Sequence, residues 1–397
     1  MSPACEVGRV MNRNRILISG AGIAGLTLAI ELKHKGLDPV VIDRLPAPRS
    51  HGHLLEFFGT GWDIATRLNV IEPLRAIKYP VESLAFVNEG GKSWFEVPFK
   101  RIRAAFGDKY CYLRRSDIQR VLTERARELD IEIRYGIGIH ALIDRGEGVH
   151  TTFVGGQVED FDIVIGADGA RSRVRMLAFG PDRRFVKPLG LYVAAFSAAQ
   201  NGYALNGACK LYEERDRTAL LCPLDDKDMD GIYVFRQAAS DVPENLASLR
   251  LHYQGAGWIT SDVLRSVSAD ARVASGPVVQ VVMPEWHRGR VALVGDACGA
   301  LGLQAGPGVQ MAMAGAFVLA RELVRHADYR GAFAAYQATL KPMVDRKQKK
   351  AQLFADLYVP KPESRSWLRR MAVQTIFSPL GLSMVSRWHG AASALAH

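Results

Sequence analysis

The sequence predicts an α/β fold: a nucleotide-binding domain into which a smaller, mainly antiparallel β-sheet domain is inserted, followed by C-terminal helices. Three observations carry this. Near the start, the run Arg15 to Ser19 passes through Gly20-x-Gly22-x-x-Gly25 directly into a helical pattern, Leu26, Ile30, Leu32. Two later apolar runs, Phe161 to Ile165 and Val291 to Val294, each deliver a carboxylate, Asp168 and Asp296, at the end where strands of an open parallel sheet meet ligands. Between them, residues 185–282 change to long strands separated by turn clusters, the pattern of an antiparallel sheet.

The first turn is a Rossmann-like fingerprint, and its glycines have separate tasks. Gly20 makes the turn, Gly22 lets a pyrophosphate approach the backbone, and Gly25 lets the helix pack on the strand. The free N–H groups of the helix start, including Ile23 and Ala24, face the phosphates. A second apolar run, Pro39 to Ile42, ends in Asp43, eighteen residues beyond Gly25, where an acid accepts from ribose hydroxyls.

The 397 residues are 48% hydrophobic and 23% charged, an ordinary globular balance with a core large enough for two coupled domains. Lys and Arg number 51 against 41 Asp and Glu, giving +10. This reads as a generally basic surface, with no nucleic-acid partner. The five cysteines, Cys5, Cys111, Cys209, Cys222 and Cys298, are odd in number and no two have zinc or redox-pair spacing, so reduced thiols and a cytoplasmic location are expected. No apolar run reaches the length of a membrane span, and residues 1–12 are expected to be a disordered leader.

Residues 44–53 form a loop by their prolines and glycine, placing Arg44 and Arg49 near the ribose carboxylate. A helix over 60–69 follows, then a hairpin of Leu84 to Val87 and Trp94 to Val97, the first excursion out of the nucleotide domain. Tyr110 to Leu113 returns as a strand. Ser116 caps the next helix, with Arg114 and Arg115 just before it, placed for an anion. Short strands at 131–134, 139–143, 148–154 and 161–165 lead to Asp168-Gly169, where Asp168 either meets ligand or caps the following helix. Helical stretches at 243–252 and 258–267 interrupt the antiparallel region. After Gly295-Asp296, the turn Gly306-Pro307-Gly308-Val309 opens a helix over 311–325. Phe333, Tyr336, Leu340 and Val344 recur at helical spacing as core. Between Lys341 and Arg370 there are nine basic and three acidic residues, read as a solvated face or, second, as a weak membrane-surface contact.

Taken in order, these motifs resemble the single-component (class A) flavin monooxygenases of the para-hydroxybenzoate hydroxylase type over residues 14–345. The segment Gly52-His53-Leu54-Leu55-Glu56-Phe57-Phe58-Gly59-Thr60-Gly61 is similar to the branch that includes tetracycline-inactivating monooxygenases. Leu113-x-Arg115-Ser116-Asp117-Ile118-Gln119 resembles the family segment whose arginine reaches the FAD phosphates. The resemblance implies tightly but non-covalently bound FAD, with the pyrophosphate over Gly20 to Gly25 and the adenosine end at Asp43 and Arg44. Arg115 and Gln119 would meet phosphates or ribityl chain, the backbone near Ile139 the adenine, and Asp296 a ribityl hydroxyl. Gly306, Gly308 and Val309 would face the isoalloxazine ring. Asp168 would support FAD and transient NAD(P)H, since no second fingerprint follows a strand.

The implied organisation is an FAD-binding domain of residues 13–81, 109–180 and 286–345, a substrate domain of 82–108 and 181–285, and C-terminal helices over 346–397. The implied chemistry is hydroxylation of a small molecule with NAD(P)H and O2 through a flavin C4a-hydroperoxide, with no metal and no catalytic base identified. A flavin reductase or dehydrogenase without oxygen insertion, or a non-catalytic ligand-sequestering flavoprotein, remains open. So does monomer against homodimer. His53, Leu303 and Gln304 are the expected pocket residues. Glycines at 299 and 302, where many relatives carry histidine and proline, point to an enlarged cavity and a bulky aromatic or polyketide-like substrate.

Overall fold

The computed structural model describes residues 15–49, 52–203, 205–237, 246–268, 271–302, 307–361 and 366–390. The leader and the positions Leu303, Gln304 and Gly306 lie outside these residues.

The expected apolar runs become the parallel core of a six-stranded sheet. Its order is His287–Arg288, Val291–Leu293, Ile163–Gly166, Ile16–Ser19, Pro39–Asp43, Glu132–Tyr135, parallel throughout except for the His287–Arg288 edge. The strands are apolar on both faces because both are covered, by helices that pack on one another and by a small sheet whose Ile139, Val149, Phe153 and Phe161 share the same core. Leu17, Ile18, Val164, Ile165, Leu293 and Val294 are fully enclosed, and Ile23–His34, Pro307–Arg325 and Tyr329–Tyr358 supply covering helices. The residues read as helical core in the last of these, Phe333, Tyr336, Leu340 and Val344, are buried there.

Phe161 to Ile165 is not one strand. Val158–Phe161 pairs antiparallel with Val149–Phe153 in a small three-stranded sheet, and Ile163–Gly166 joins the parallel sheet. The chain changes sheets at Asp162, which is half-buried and accepts from the backbone N–H of Arg15.

The antiparallel region forms a seven-stranded sheet in the order Ala274–Val281, Val186–Ala199, Asp228–Arg236, Arg217–Pro223, Ala208–Glu214, Ser83–Val87, Ser93–Pro98. The early hairpin therefore pairs with strands more than a hundred residues later, through the one parallel contact in this sheet. One face packs on the helices Leu246–His252 and Thr260–Ser266 through Tyr192, Phe196, Tyr233 and Phe235. The other face carries Val193, Ile232, Leu220 and Leu84, all half-buried, toward the nucleotide domain and the C-terminal helices.

Cys209 and Cys222 correct the expectation of five reduced thiols. They sit opposite one another on adjacent antiparallel strands, one position beyond the Lys210 to Leu221 pair, with Cα atoms 4.2 Å apart, and are joined as a disulfide. Their separation of thirteen residues matches no motif; only the register of the hairpin brings them together. No described helix is long and apolar enough to cross a membrane.

Candidate FAD site

The fingerprint turn shows which glycines the protein itself requires. A Cβ on Gly25 would lie 1.9 Å from the Gly20 carbonyl oxygen, and one on Gly20 would lie 2.5 Å from that of Ala167, at a φ of +115°. A Cβ on Gly22 would meet no protein atom within 4 Å. The space above Gly22 is thus a cradle that a side chain would fill, beside the unbonded N–H groups of the helix that starts at Ile23.

Asp43 is held against this turn. Its carboxylate accepts from the backbone N–H groups of Ala21 and Leu45, each at 2.9 Å. Gln119, buried in the Arg115–Glu128 helix, donates its amide to the Ala21 carbonyl at 2.8 Å, so it fixes the turn itself. Ser116 does not cap that helix. The first helical residue is Arg115, the cap position is Arg114, and no side chain caps it.

The two neighbouring arginines diverge at this strand-to-helix junction. Arg114 turns away from the fingerprint and pairs with Asp230 at 2.5 Å, so it is not the anion-facing group. Arg115 faces the cleft: its charge lowers the pKa of His53 and of Arg49 and opposes the burial-driven rise of Asp296. Burial is the larger cause for all three. Among the described residues, neither Arg44, Arg49 nor Arg115 makes an ion pair, although the three stand close enough to lower the pKa of Arg49. Such a cluster favours an anion between them.

Asp296 follows Gly295 at the end of the Val291–Leu293 strand, and a Cβ on Gly295 would lie 2.9 Å from that of Ala24. The second motif is therefore packed on the first turn of the fingerprint helix. Asp296 is deep enough for burial to raise its pKa, yet it is exposed to solvent. Those two properties coincide at the floor of an open cleft. Gly308, also exposed and with open space at its Cβ position, lies with Val309 in the first turn of the Pro307–Arg325 helix. The buried Ile139 stands on the far side, its carbonyl approached by Arg173 at 3.4 Å.

Asp168 lies against the start of the following helix, whose capping residue is Ser172. Its carboxylate accepts from Ser172 Oγ at 2.5 Å and from the backbone N–H groups of Arg173 and Val174 at 2.7 and 3.2 Å. Burial raises its pKa and these bonds oppose the rise. Gly299 and Gly302 have no free space on the side that a Cβ would take. A Cβ at 299 would meet Val344 at 3.0 Å and one at 302 would meet Leu189 at 2.5 Å, so neighbours already occupy the volume that glycine gives up. Gly302 also has a φ of +83°.

Three polar positions that hold parts of the site together escaped the sequence reading. Arg175 is fully buried and ties the two carboxylate loops together, donating to the carbonyls of Ala170 at 2.6 Å and Ala297 at 2.8 Å and pairing with Asp182. Asp230, buried on the seven-stranded sheet, accepts from the Leu54 N–H at 3.0 Å, from Ser197 Oγ at 2.9 Å and from Arg114, which joins the two lobes. Glu56 is the third, a carboxylate among aromatic rings. Only Glu56 carries a local signal, an acid in the apolar run Leu54 to Phe58; Arg175 and Asp230 lie among other charged residues.

An open cradle over Gly22, unpaired arginines beside it, a solvent-accessible acid on the cleft floor and an uncovered helix start at its far end fit a dinucleotide with a tricyclic ring. Together with the fold they define a flavoprotein of the single-component FAD-dependent monooxygenase class. Residues 13–346 match the family described as FAD binding domain, and the chain belongs to that family. It is 29% identical over 342 residues to a flavin-dependent monooxygenase from an unidentified prokaryote, covering 84% of this chain and 87% of that one. Crystal structures of the tetracycline destructases Tet(55) and Tet(51) superpose with TM-scores of 0.82 and 0.79, each at 26% identity. They cover 95% and 94% of this chain, and 97% and 98% of their own.

Proposed function

We propose that the enzyme uses NAD(P)H and O2 to insert one oxygen atom into a bulky, mostly apolar aromatic or polyketide-like small molecule. The observation that carries this reading is the apolar face of the seven-stranded sheet that meets the Leu54–Phe58 strand. Leu220 and Leu84, half-buried, pack there with Leu54 and Phe58, while Val193 and Ile232, also half-buried, continue the same face toward Ala355 and Val359 of the C-terminal helices. Apolar pockets with a few polar groups suit such ligands. The structural neighbours are named for tetracycline, a multi-ring molecule, which supports a bulky substrate.

FAD, when bound, supplies hydride acceptance from NAD(P)H and activation of dioxygen. The chain's own part is to hold the pyrophosphate at Gly20 to Gly25, the ribityl chain at Asp296, and the ring at Gly308 and Val309, and to exclude water from the substrate site. With one fingerprint only, NAD(P)H binds transiently between the lobes. Trp367, Leu368, Met371, Leu380 and Met384 are exposed on the two C-terminal helices, which supports a weak contact of these helices with an anionic membrane surface. Co-sedimentation with anionic but not neutral vesicles checks that contact.

The test of the reaction is a panel of single-ring and multi-ring phenols. A substrate should accelerate NAD(P)H oxidation and acquire oxygen-18 from labelled O2. NAD(P)H oxidation with an unlabelled product indicates a reductase or dehydrogenase. No substrate-stimulated oxidation across the panel indicates a ligand-sequestering protein.

A further inference from the structure

The strands Leu54–Phe58 and Tyr110–Arg114 form a two-stranded ribbon between the lobes, and their side chains alternate. Phe57, Cys111 and Leu113 enter the nucleotide-domain core. Leu54, Phe58, Tyr110 and Tyr112 face the other way and pack with Val97, Phe99 and the Cys209 and Cys222 pair. Glu56 belongs to this second face by its place in the strand, and it brings a carboxylate into an aromatic cluster.

Its partners are hydroxyls. Tyr112 donates to Glu56 Oε1 at 3.0 Å, and Tyr110 donates to the Tyr112 oxygen at 3.2 Å. Burial raises the pKa of Glu56, while the hydrogen bonds of Tyr110 and Tyr112 lower it. The other titratable group facing it is Tyr358, from the helix opposite, whose own pKa is raised by burial, by Glu213 and by Glu56. Cys209 and Cys222 are bonded to each other and do not titrate. A carboxylate with neutral donors only is an expensive group to bury, and an amide or apolar residue would cost less. Glu56 is half-buried, whereas Tyr110 and Tyr112 are 5% and 9% exposed. The acid, rather than the tyrosines behind it, is thus the member of this cluster that solvent reaches. Its backbone is also fixed: Gln310, in the first turn of the Pro307–Arg325 helix, donates to the Glu56 carbonyl at 3.1 Å. The carboxylate is thereby anchored to the element assigned to the ring end of the flavin.

We propose that Glu56, backed by Tyr112 and Tyr110, is the specificity-determining group that binds a phenolic or enolic hydroxyl of the substrate. The hydroxyl donates to the open side of the carboxylate while Tyr112 and Tyr110 hold the other side. A buried acceptor of this kind discriminates strongly against a molecule that lacks the donor, because the acid is then left unpaired. The proposal rests on the aromatic or polyketide-like substrate class given above, but its test reads binding and not oxygenation.

The FAD-loaded enzyme is titrated with 2-hydroxyanthraquinone and with 2-methoxyanthraquinone, a pair that differs only in the donor, by equilibrium dialysis. Near neutral pH the wild type should prefer the hydroxyl probe about tenfold or more. That preference should shrink as the pH falls and Glu56 takes up a proton. Glu56→Gln should bind the ether as the wild type does, lose most of the preference and show no such pH dependence. Tyr112→Phe should keep a reduced preference. A wild type without preference, a preference that survives unchanged in Glu56→Gln, or failure of both probes to bind overturns the assignment. A product without oxygen-18 overturns the monooxygenase reading and leaves the binding preference standing.

Discussion

Gly22 and Gly25, three residues apart in one turn, are required for different reasons, and that difference is measurable. Gly25→Ala drives a Cβ into the Gly20 carbonyl, so the apoprotein itself should lose stability, by roughly 2–3 kcal/mol, and melt several degrees lower. In Gly22→Val the new Cβ meets no protein atom within 4 Å, so the apoprotein should melt as the wild type does while FAD affinity falls at least tenfold. Thermal unfolding of the apoproteins and FAD titration separate the two; equal melting losses in both would show that Gly22 is structural. Asp296→Ala should weaken FAD by about tenfold through the lost ribityl hydrogen bond, with little effect on the apoprotein. The buried acids also set a pH dependence. Glu56, Asp168, Glu213 and Asp296 all have folded pKa values raised by burial. The native state therefore holds protons that the unfolded chain has released, and these four groups favour folding increasingly as pH falls from the raised values toward the ordinary carboxylate range. Replacing Glu56 by Gln should flatten that gain in apoprotein melting as the pH falls toward the ordinary carboxylate range; a steeper gain in the variant would contradict the sign.

At the scale of elements, local pattern and long-range pairing divide what was legible. The fingerprint turn, the strand ending in Asp43 and the Gly295-Asp296 strand end were readable because each is a short segment whose own residues dictate its conformation. The break at Asp162 was not, since Phe161 and Ile163 are both apolar and only their partners show that they belong to different sheets. Asp230 was not readable because its partner Leu54 lies 176 residues away. Gly302 was misread as free volume, because sequence shows the missing side chain but not Leu189 filling its place. Asp230→Ala should expose the importance of the junction. It leaves the Leu54 N–H without its acceptor and the half-buried Arg114 without its counter-charge, at a cost of about 3 kcal/mol in urea unfolding, and a cost under about 0.5 kcal/mol would show the junction to be incidental. The Cys209 and Cys222 hairpin predicts a thiol count. Of five cysteines, three should react under denaturing, non-reducing conditions and all five after reduction; five before reduction would mean the pair is open.

In the whole molecule, the nucleotide domain and the seven-stranded sheet share one boundary, the Leu54–Phe58 and Tyr110–Arg114 ribbon. Its inward face completes the nucleotide-domain core, and its outward face presents Glu56 to the seven-stranded sheet. Asp230 clamps this ribbon to the sheet and Arg175 clamps the two carboxylate loops, so the elements that would hold flavin and substrate are joined by two buried polar centres. The chemistry follows from that proximity, and the direct measurement is stoichiometric. With a multi-ring phenol that accelerates flavin reduction, NAD(P)H and O2 should be consumed in equal amounts and one oxygen-18 atom from labelled O2 should appear in each product molecule. Full consumption of NAD(P)H and O2 with peroxide as the only oxygenated product, for every phenol that stimulates reduction, would contradict monooxygenation.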